Sequence, residues 1–419
     1  MGSQRVIASY EPAIESEEEA WVASVVRQAG KLSRAELARR TGLNRGALGA
    51  RLKSLQDKRL VEDVGPRASS GGRPPALVRF GKDSAYLAAV DLGATSVDVA
   101  IVNLNLEVLV HRTRDCDVTA GPAVVMPLVK ELLNEAVAES LVLPTDIKAV
   151  GMGIPGPVEF KTARPVSPPI MPGWDLFPVR DYLEAEFGWP VFVDNDVNIM
   201  ALGERWAGLG RAADNFIFVK IGSGIGCGII CRGQIYRGAD GSAGDIGHIE
   251  VTADPVVCRC GNTGCLEALA GGAALARATE EASLEGRSKY LARILAEKGS
   301  LTAADLGTAL RRGDPVAVEL VRMAGANIGH VLASLVNFFN PSLIVIGGGV
   351  ANLGDILLAS IRETVYRRSL PLSTRHILIQ QSELGDKAGV IGAAAMLLEE
   401  LYRLRSAGSS TGLLARAAE

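Results

Sequence analysis

Apolar positions keep a helical period near the start of the chain, then give way to continuous runs, and the change separates two kinds of architecture. Val22, Val25, Val26 and Ala29 recur at the spacing of one helix face and stop at Gly30. Ser33 with Glu36 three residues on reads as a capping box opening a second helix through Arg40. Thr41-Gly42-Leu43 makes the turn, with Gly42 suited to a left-handed backbone. A third helix follows from about Asn44 to Asp57, with Leu48, Leu52 and Leu55 facing inward. Leu60–Val64 and Ala76–Phe80 then read as two strands around a polar tip, Arg67–Arg73, that runs into Pro74-Pro75. Three helices and a two-stranded wing predict a winged helix-turn-helix over residues 1–82.

After Phe80 the pattern is that of buried strands. Tyr86–Val90 leads into Asp91-Leu92-Gly93-Ala94-Thr95 and returns as Val97–Val102. Three more glycine turns follow: Gly151–Pro157, Gly222–Gly228 after Ile217–Ile221, and Gly347-Gly348-Gly349 after Leu343–Ile346. Backbone N–H groups in such turns can cradle phosphate. A single Asp-x-Gly hairpin says little, but four strand-to-glycine turns in this order predict a duplicated α/β body of the actin-like ATPase type with a central cleft. Asp91, Gly93 and Thr95 would form its first phosphate loop, and Gly222, Ser223 and Gly224 its second. Gly347 and Gly348 would lie beside an adenosine. The body is expected over 83–403, its second lobe beginning near 199, with a flexible tail over 404–419 that contains Ser406–Ser410.

Composition sharpens this picture in two places. The chain has 419 residues, 48% hydrophobic, with 47 glycines, as expected of a turn-rich globular protein. It lacks both an uninterrupted apolar run of about 18 residues and the apolar core of a signal peptide at its start, which points to the cytoplasm and no membrane. Net charge is −3, yet Trp21–Phe80 carries 13 Lys and Arg against 4 Asp and Glu, so the remaining residues sum to −12. A basic module on an acidic body suits double-stranded DNA, whose phosphates demand concentrated positive charge. The second element of a helix-turn-helix lies in the major groove, which makes Asn44, Arg45, Arg51 and Lys53 the candidate contacts, with Arg73 on the wing. Arg45 leads them, since a guanidinium can grip a guanine edge in two places. The other readings of this segment are a solvated charged surface or a small protein-interaction module. Glu17-Glu18-Glu19 reads as the acidic first turn of the first helix.

Two constellations carry chemistry. Val191-Phe192-Val193 runs into Asp194-Asn195-Asp196-Val197-Asn198, where a carboxylate and a carboxamide at a strand end can bind vicinal hydroxyls. Asp196 would be the general base if a hydroxyl were phosphorylated; the alternative is an Asx turn capping the next helix. Further on, Gly244-Asp245-Ile246-Gly247-His248 precedes Cys258-Arg259-Cys260-Gly261-Asn262-Thr263-Gly264-Cys265-Leu266-Glu267. Three thiolates on a glycine-rich turn plus His248 make a closed tetrahedral zinc set, the kind that is structural rather than catalytic. Disulfides would strand one of these thiols. His111, His330 and His376 have no such neighbours in sequence.

This Cys-x-Cys-Gly-x-x-Gly-Cys-Leu-Glu run, with the winged helix before it, resembles the ROK family of repressors, open reading frames and sugar kinases, in its repressor branch. The resemblance extends from the winged helix through Gly392. It implies that Asn195 and Asp196 bind sugar hydroxyls, that Glu267 and His248 complete the pocket, and that His248 also ligates zinc. Asp245 stands where the family usually has glutamate, one methylene longer. Family kinases carry Asp-x-Gly-Gly-Thr in the first loop, and Ala94 replaces the second glycine here. The reading that follows is a DNA-binding regulator, a repressor before an activator. Its body senses a sugar or sugar phosphate, and it works as a homodimer or tetramer on a two-fold operator. The alternatives are an ATP- and Mg²⁺-dependent sugar kinase with an accessory head, and a zinc-stabilised scaffold.

Overall fold

The computed structural model describes residues 13–14, 16–64, 77–253 and 255–404. The wing tip at Arg67–Arg73 and the tail at Ser406–Ser410 lie outside the described residues. Each helix of the head begins on a side-chain cap, which satisfies N–H groups that have no partner within the first turn. Ser16 Oγ accepts from the Glu19 N–H to open α1 (Glu17–Ala29), and Gly30 closes it. A short strand, β1 (Lys31–Ser33), follows. Ser33 Oγ accepts from the Glu36 N–H to open α2 (Arg34–Thr41). The Glu36 carboxylate turns to Arg40 rather than back to the cap, so the expected capping box is one-sided. Gly42 ends α2 at φ 72°, as its turn requires. Asn44 Oδ1 accepts from the Ala47 N–H to open α3 (Arg45–Asp57). β2 (Val61–Val64) and β3 (Leu77–Phe80) pair antiparallel, and β1 adds to the other edge of β3, giving three strands where two were expected. Val22, Val26, Leu37, Leu48, Leu52 and Leu55 are buried between these layers.

The chain divides into two compact units, one running to Ala207 and resuming at Ala388, the other Gly208–Lys387. In the first, β4 (Tyr86–Leu92), β5 (Ser96–Asn103) and β6 (Val108–Asp115) form an antiparallel meander. After α4 (Pro122–Ser140), strand β7 (Ile147–Ile154) lies parallel to β4. A two-residue ribbon, β8 (Val158–Glu159) and β9 (Arg164–Pro165), and α5 (Val179–Phe187) lead to β10 (Val191–Asn195), parallel to β7, and then to α6 (Asp196–Ala207).

The second unit repeats the plan. Strands β11 (Phe216–Ile221), β12 (Ile225–Cys231) and β13 (Gln234–Tyr236) make the meander. Helices α7 (Leu266–Ala270), α8 (Gly272–Leu284), α9 (Lys289–Lys298), α10 (Ala303–Arg311) and α11 (Pro315–Phe339) follow. Then β14 (Leu343–Gly347) lies parallel to β11, and after α12 (Asp355–Arg368) and α13 (Pro371–Thr374), β15 (Leu378–Gln381) lies parallel to β14. The two sheets, β10-β7-β4-β5-β6 and β15-β14-β11-β12-β13, thus share one topology, which is the duplication that the glycine turns foretold. Among the described residues α11 is the one helix long and apolar enough to cross a membrane, but 61% of its most apolar window is buried inside the protein. It is a core helix, packed on α12 and α8.

The last described helix, α14 (Ala388–Tyr402), ends the second repeat yet packs in the first unit, against α6, β4 and β7. Glycines permit the approach. A Cβ on Gly203 would collide with the Ala388 carbonyl, one on Gly392 with that of Ile199, and one on Gly151 with that of Ala393. The expected second-lobe boundary near 199 therefore falls inside α6, which this packing holds in the first unit, and the chain leaves that unit after Ala207. Between head and body the chain is tied rather than loose. The Gly81 N–H donates to Leu60 O, the Leu104 N–H to Lys82 O, and Lys82 pairs with Glu107 at 2.6 Å.

Candidate functional site

Five described cations of the head are already paired with carboxylates. Arg34 pairs with Asp63, Arg40 with Glu36, Lys58 with Glu19 and Arg79 with Glu62. Arg51, expected on the outward face of α3, sits six residues beyond Arg45 and turns toward α1, where Glu18 holds its Nε at 2.9 Å. The acidic first turn of α1 therefore does more than start a helix: it braces α3. Arg45 and Lys53 are exposed and pair with no described carboxylate, and so is Arg39 at the end of α2, which sequence reasoning passed over. Asn44 is exposed but spends its carbonyl oxygen on the α3 cap. Arg73 lies outside the described residues.

In the first unit, the β4–β5 turn places Gly93, Ala94 and Thr95 between paired strands, with the Gly93 N–H donating to Ser96 O at 2.8 Å. Thr95 is exposed, while Ala94 is partly buried and packs against the apolar core. Asp91 is buried, its carboxylate against Gly389 in the first turn of α14, where a helix N-terminus favours a negative charge. A Cβ on Gly389 would collide with it. At the β10–α6 junction, Asn195 is the helix cap: its Oδ1 accepts from the Val197 and Asn198 N–H groups at 2.9 and 3.3 Å, and its Nδ2 donates to Gly156 O at 2.8 Å. Asp194, buried, accepts from the Asn195 N–H and from Asn198 Nδ2. Asp196 follows this cap at the first position of α6 and is buried, 4% exposed.

The second unit gathers more of the expected residues. The β11–β12 turn holds Gly222, Ser223 and Gly224, the Gly222 N–H donating to Gly224 O at 2.9 Å. Glu267, in the first turn of α7, accepts from the Ile225 N–H at 3.1 Å, and its carboxylate lies where a Cβ on Gly224 would go. Gly244 at φ 114° and Gly247 bring the Asp245–His248 turn onto the backbone of β12, at the Cys227 and Ile225 carbonyls. Asp245 is exposed on that turn. Burial pushes the Cys227 thiol up to about 12, so it behaves as an apolar side chain. Gly347 and Gly348 are explained by packing, since a Cβ on either would strike Phe218 or Ile221 of β11.

His248, Cys258, Cys260 and Cys265 offer ligand atoms that all lie within 4.8 Å of one another. The turn that carries them is shaped by Gly261 at φ 92° and Gly264 at φ 70° and by the Cys258 N–H bond to Asn262 O. Cys258 Sγ is 3.7 Å from His248 Nδ1, and Cys260 Sγ is 3.8 Å from Cys265 Sγ. Zinc–sulfur bonds of about 2.3 Å at tetrahedral angles put sulfurs ~3.8 Å apart. The four residues therefore fit one tetrahedral ion in both chemistry and spacing.

Comparison with known proteins bears on both halves. The putative xylose repressor of Caldicellulosiruptor sp. (strain Rt8B.4) is 30% identical over 371 residues, covering 88% of this chain and 92% of that protein. The glucokinase of Halalkalibacterium halodurans is 34% identical over 316 residues, covering 75% of this chain and 96% of the enzyme. Among solved structures, a ROK family transcriptional regulator described as a homologue of the E. coli Mlc protein superimposes with a TM-score of 0.78 at 25% identity, covering 96% of this chain and 98% of that one. A ROK family glucokinase from Streptomyces griseus, in complex with glucose and AMPPNP, reaches 0.65 at 32% identity over 74% of this chain and 98% of its own. The ROK family model itself matches residues 87–400, nearly the whole body from β4 into α14, and the chain belongs to the ROK family.

Proposed function

We propose that the chain is a DNA-binding transcriptional regulator, a repressor, whose body binds a sugar and thereby changes operator affinity. The carrying observation is coverage: regulators match head and body together, at 96% of the chain for the solved one, whereas the glucokinases stop at about the body. In this reading α3 enters the major groove, Arg45 reads base edges, and Lys53 and Arg39 neutralise phosphates. Arg51 instead fixes α3 on α1. We assign sugar-binding roles to Asp196 and Asn195 in the first unit, and to Asp245, Glu267 and His248 in the second. With His248 Nδ1 facing Cys258, its Nε2 is left to bond a hydroxyl.

His248, Cys258, Cys260 and Cys265 would hold zinc. The ion supplies a structural cross-link there, fixing the turn that carries His248 while Glu267 fixes the β11–β12 turn. Two-fold operators call for paired heads, so the working form is a homodimer or a pair of dimers. The compartment is the cytoplasm.

The kinase reading keeps one specific support. Ala94 packs against the apolar core, and in this reading its methyl group would leave the first phosphate loop open while Asp196 would serve as the general base. Two measurements on one preparation decide between them. Fluorescence anisotropy on DNA from immediately upstream of the chain's gene, with and without D-xylose or D-glucose, should show sugar-dependent binding that Asp196→Asn abolishes. Sugar-dependent ADP release at ordinary enzyme rates, roughly 1–10³ s⁻¹, without sequence-specific DNA binding, would establish the kinase instead.

A further inference from the structure

The sugar residues of the first unit sit at one end of α6, and the other end of the same helix touches the DNA-binding head. We propose that α6 transmits sugar occupancy to the head, and that the Arg27–Trp206 contact is the joint. This rests on the sugar-regulator reading above and specifies how its two halves communicate.

α6 is built to move as one piece. Asn195 caps it, Asp196 opens it, and Asp196–Ile199 and Ala201–Trp206 are buried. Gly153 lets it lie directly on β7, and Gly203 and Gly392 bring its backbone against that of α14. From Asp196 to Trp206 a helix rises on the order of 15 Å, about three turns. A displacement at the capped end therefore reaches Trp206 with little loss.

At that far end two side chains join four elements. The Trp206 Nε1–H donates to Glu399 Oε1 of α14 at 2.7 Å, and the Arg27 guanidinium lies over the indole, 4.8 Å from its centroid. Arg27 belongs to the last turn of α1, and its Nε–H donates to Leu104 O, beyond the end of β5, at 2.8 Å. Both contacts are directional, and one guanidinium makes them. If Trp206 moves with α6, Arg27 must leave either the ring or the Leu104 carbonyl, and α1 carries the change to α3, which it braces through Glu18–Arg51 and Glu19–Lys58. Other described ties between head and body, the Lys82–Glu107 pair and the backbone bonds Leu104 N–H to Lys82 O and Ala13 N–H to Leu401 O, involve no residue of α6.

The test uses the full chain, the upstream DNA, and D-xylose and D-glucose as probes. Coupling is the ratio of operator Kd with and without saturating sugar; reciprocity requires DNA to change sugar affinity by the same factor, typically about 5–150-fold. Arg27→Gln, which removes the charge but keeps a polar side chain, should leave sugar Kd without DNA within about twofold and bring the coupling ratio close to one. Trp206→Phe, which keeps a ring for the cation but loses the Glu399 bond, should fall between Arg27→Gln and the unaltered protein, and it serves if Arg27→Gln folds poorly. A melting temperature that drops while coupling stays unchanged would make Arg27 a mere strut and overturn the joint, leaving the sugar-regulator reading intact. If the unaltered protein shows no coupling with either sugar, that reading itself falls, and the joint with it.

Discussion

Single residues differ most in how far their neighbourhood can be inferred from their type. Glycine is the clearest case, because the same side-chain deletion serves opposite purposes at two positions. Gly49 is helical with nothing within 4 Å of a would-be Cβ. Gly49→Ala should therefore stabilise the head by about 0.5–1 kcal/mol, through the unfolded chain's lost freedom. Gly244, at φ 114°, faces the Cys227 carbonyl. There an alanine must both strain the backbone and push β12 away, and Gly244→Ala should cost more than about 1 kcal/mol. Urea denaturation of both variants checks the pair; equal shifts would refute the argument. The cap at Ser33 and the left-handed Gly42 were legible in the sequence because a cap is a local bond within three residues, whereas Asn44, the cap of α3, was read there as a DNA contact. Arg51 was not legible: it was assigned outward by helix periodicity alone, and its partner Glu18 is 33 residues away. For Asn195 the sequence offered both a sugar contact and an Asx turn, and its oxygen makes the bonds of such a turn to α6.

At the scale of elements, the turn bearing Cys258, Cys260 and Cys265 has little of its own to hold it. It contributes two isolated bridges, Glu250 to Cys265 and Val257 to Thr263, and Arg259 to Thr263 are exposed or half-exposed. An ion clamping four ligands would supply what an apolar core cannot. Elemental analysis should find one zinc per chain. Chelation should lower the melting temperature and expose the 245–267 segment to proteolysis, and Cys260→Ser should do the same without chelator. Retention of full stability in the metal-free protein would count against a structural ion. This element was legible because its ligands lie within 18 residues, as were the helices and wing of the head. β1 was not: Lys31-Leu32-Ser33 is too short to show an alternation, and it becomes a strand only because β3 offers a free edge.

For the whole molecule, the duplication could be read from strand-to-glycine turns, but the division into units could not. Repeats are a matter of pattern, whereas units are a matter of contacts, and α14 belongs to the second repeat by pattern and to the first unit by contact. Val390, Ile391, Met396, Leu397 and Leu398 of α14 are buried there. At about 1.5–3 kcal/mol each, their loss is comparable to the roughly 5–15 kcal/mol by which a domain is stable. A chain ending at Lys387 should therefore fail to fold its first unit, seen as lost protection of β4 and β7 in hydrogen exchange, while β11 and β14 stay protected.

The same arrangement imposes an order on biosynthesis. All of 208–387 is made between α6 and α14, and at roughly 5–20 residues per second the wait is on the order of 10–40 s. Throughout that interval the faces of β4, β7 and α6 that α14 will cover stand open on a nascent chain whose winged-helix head is already complete. The body's first sheet to emerge from the ribosome is thus sealed by the last described helix, and a chain stalled in between presents a finished head on an unfinished body.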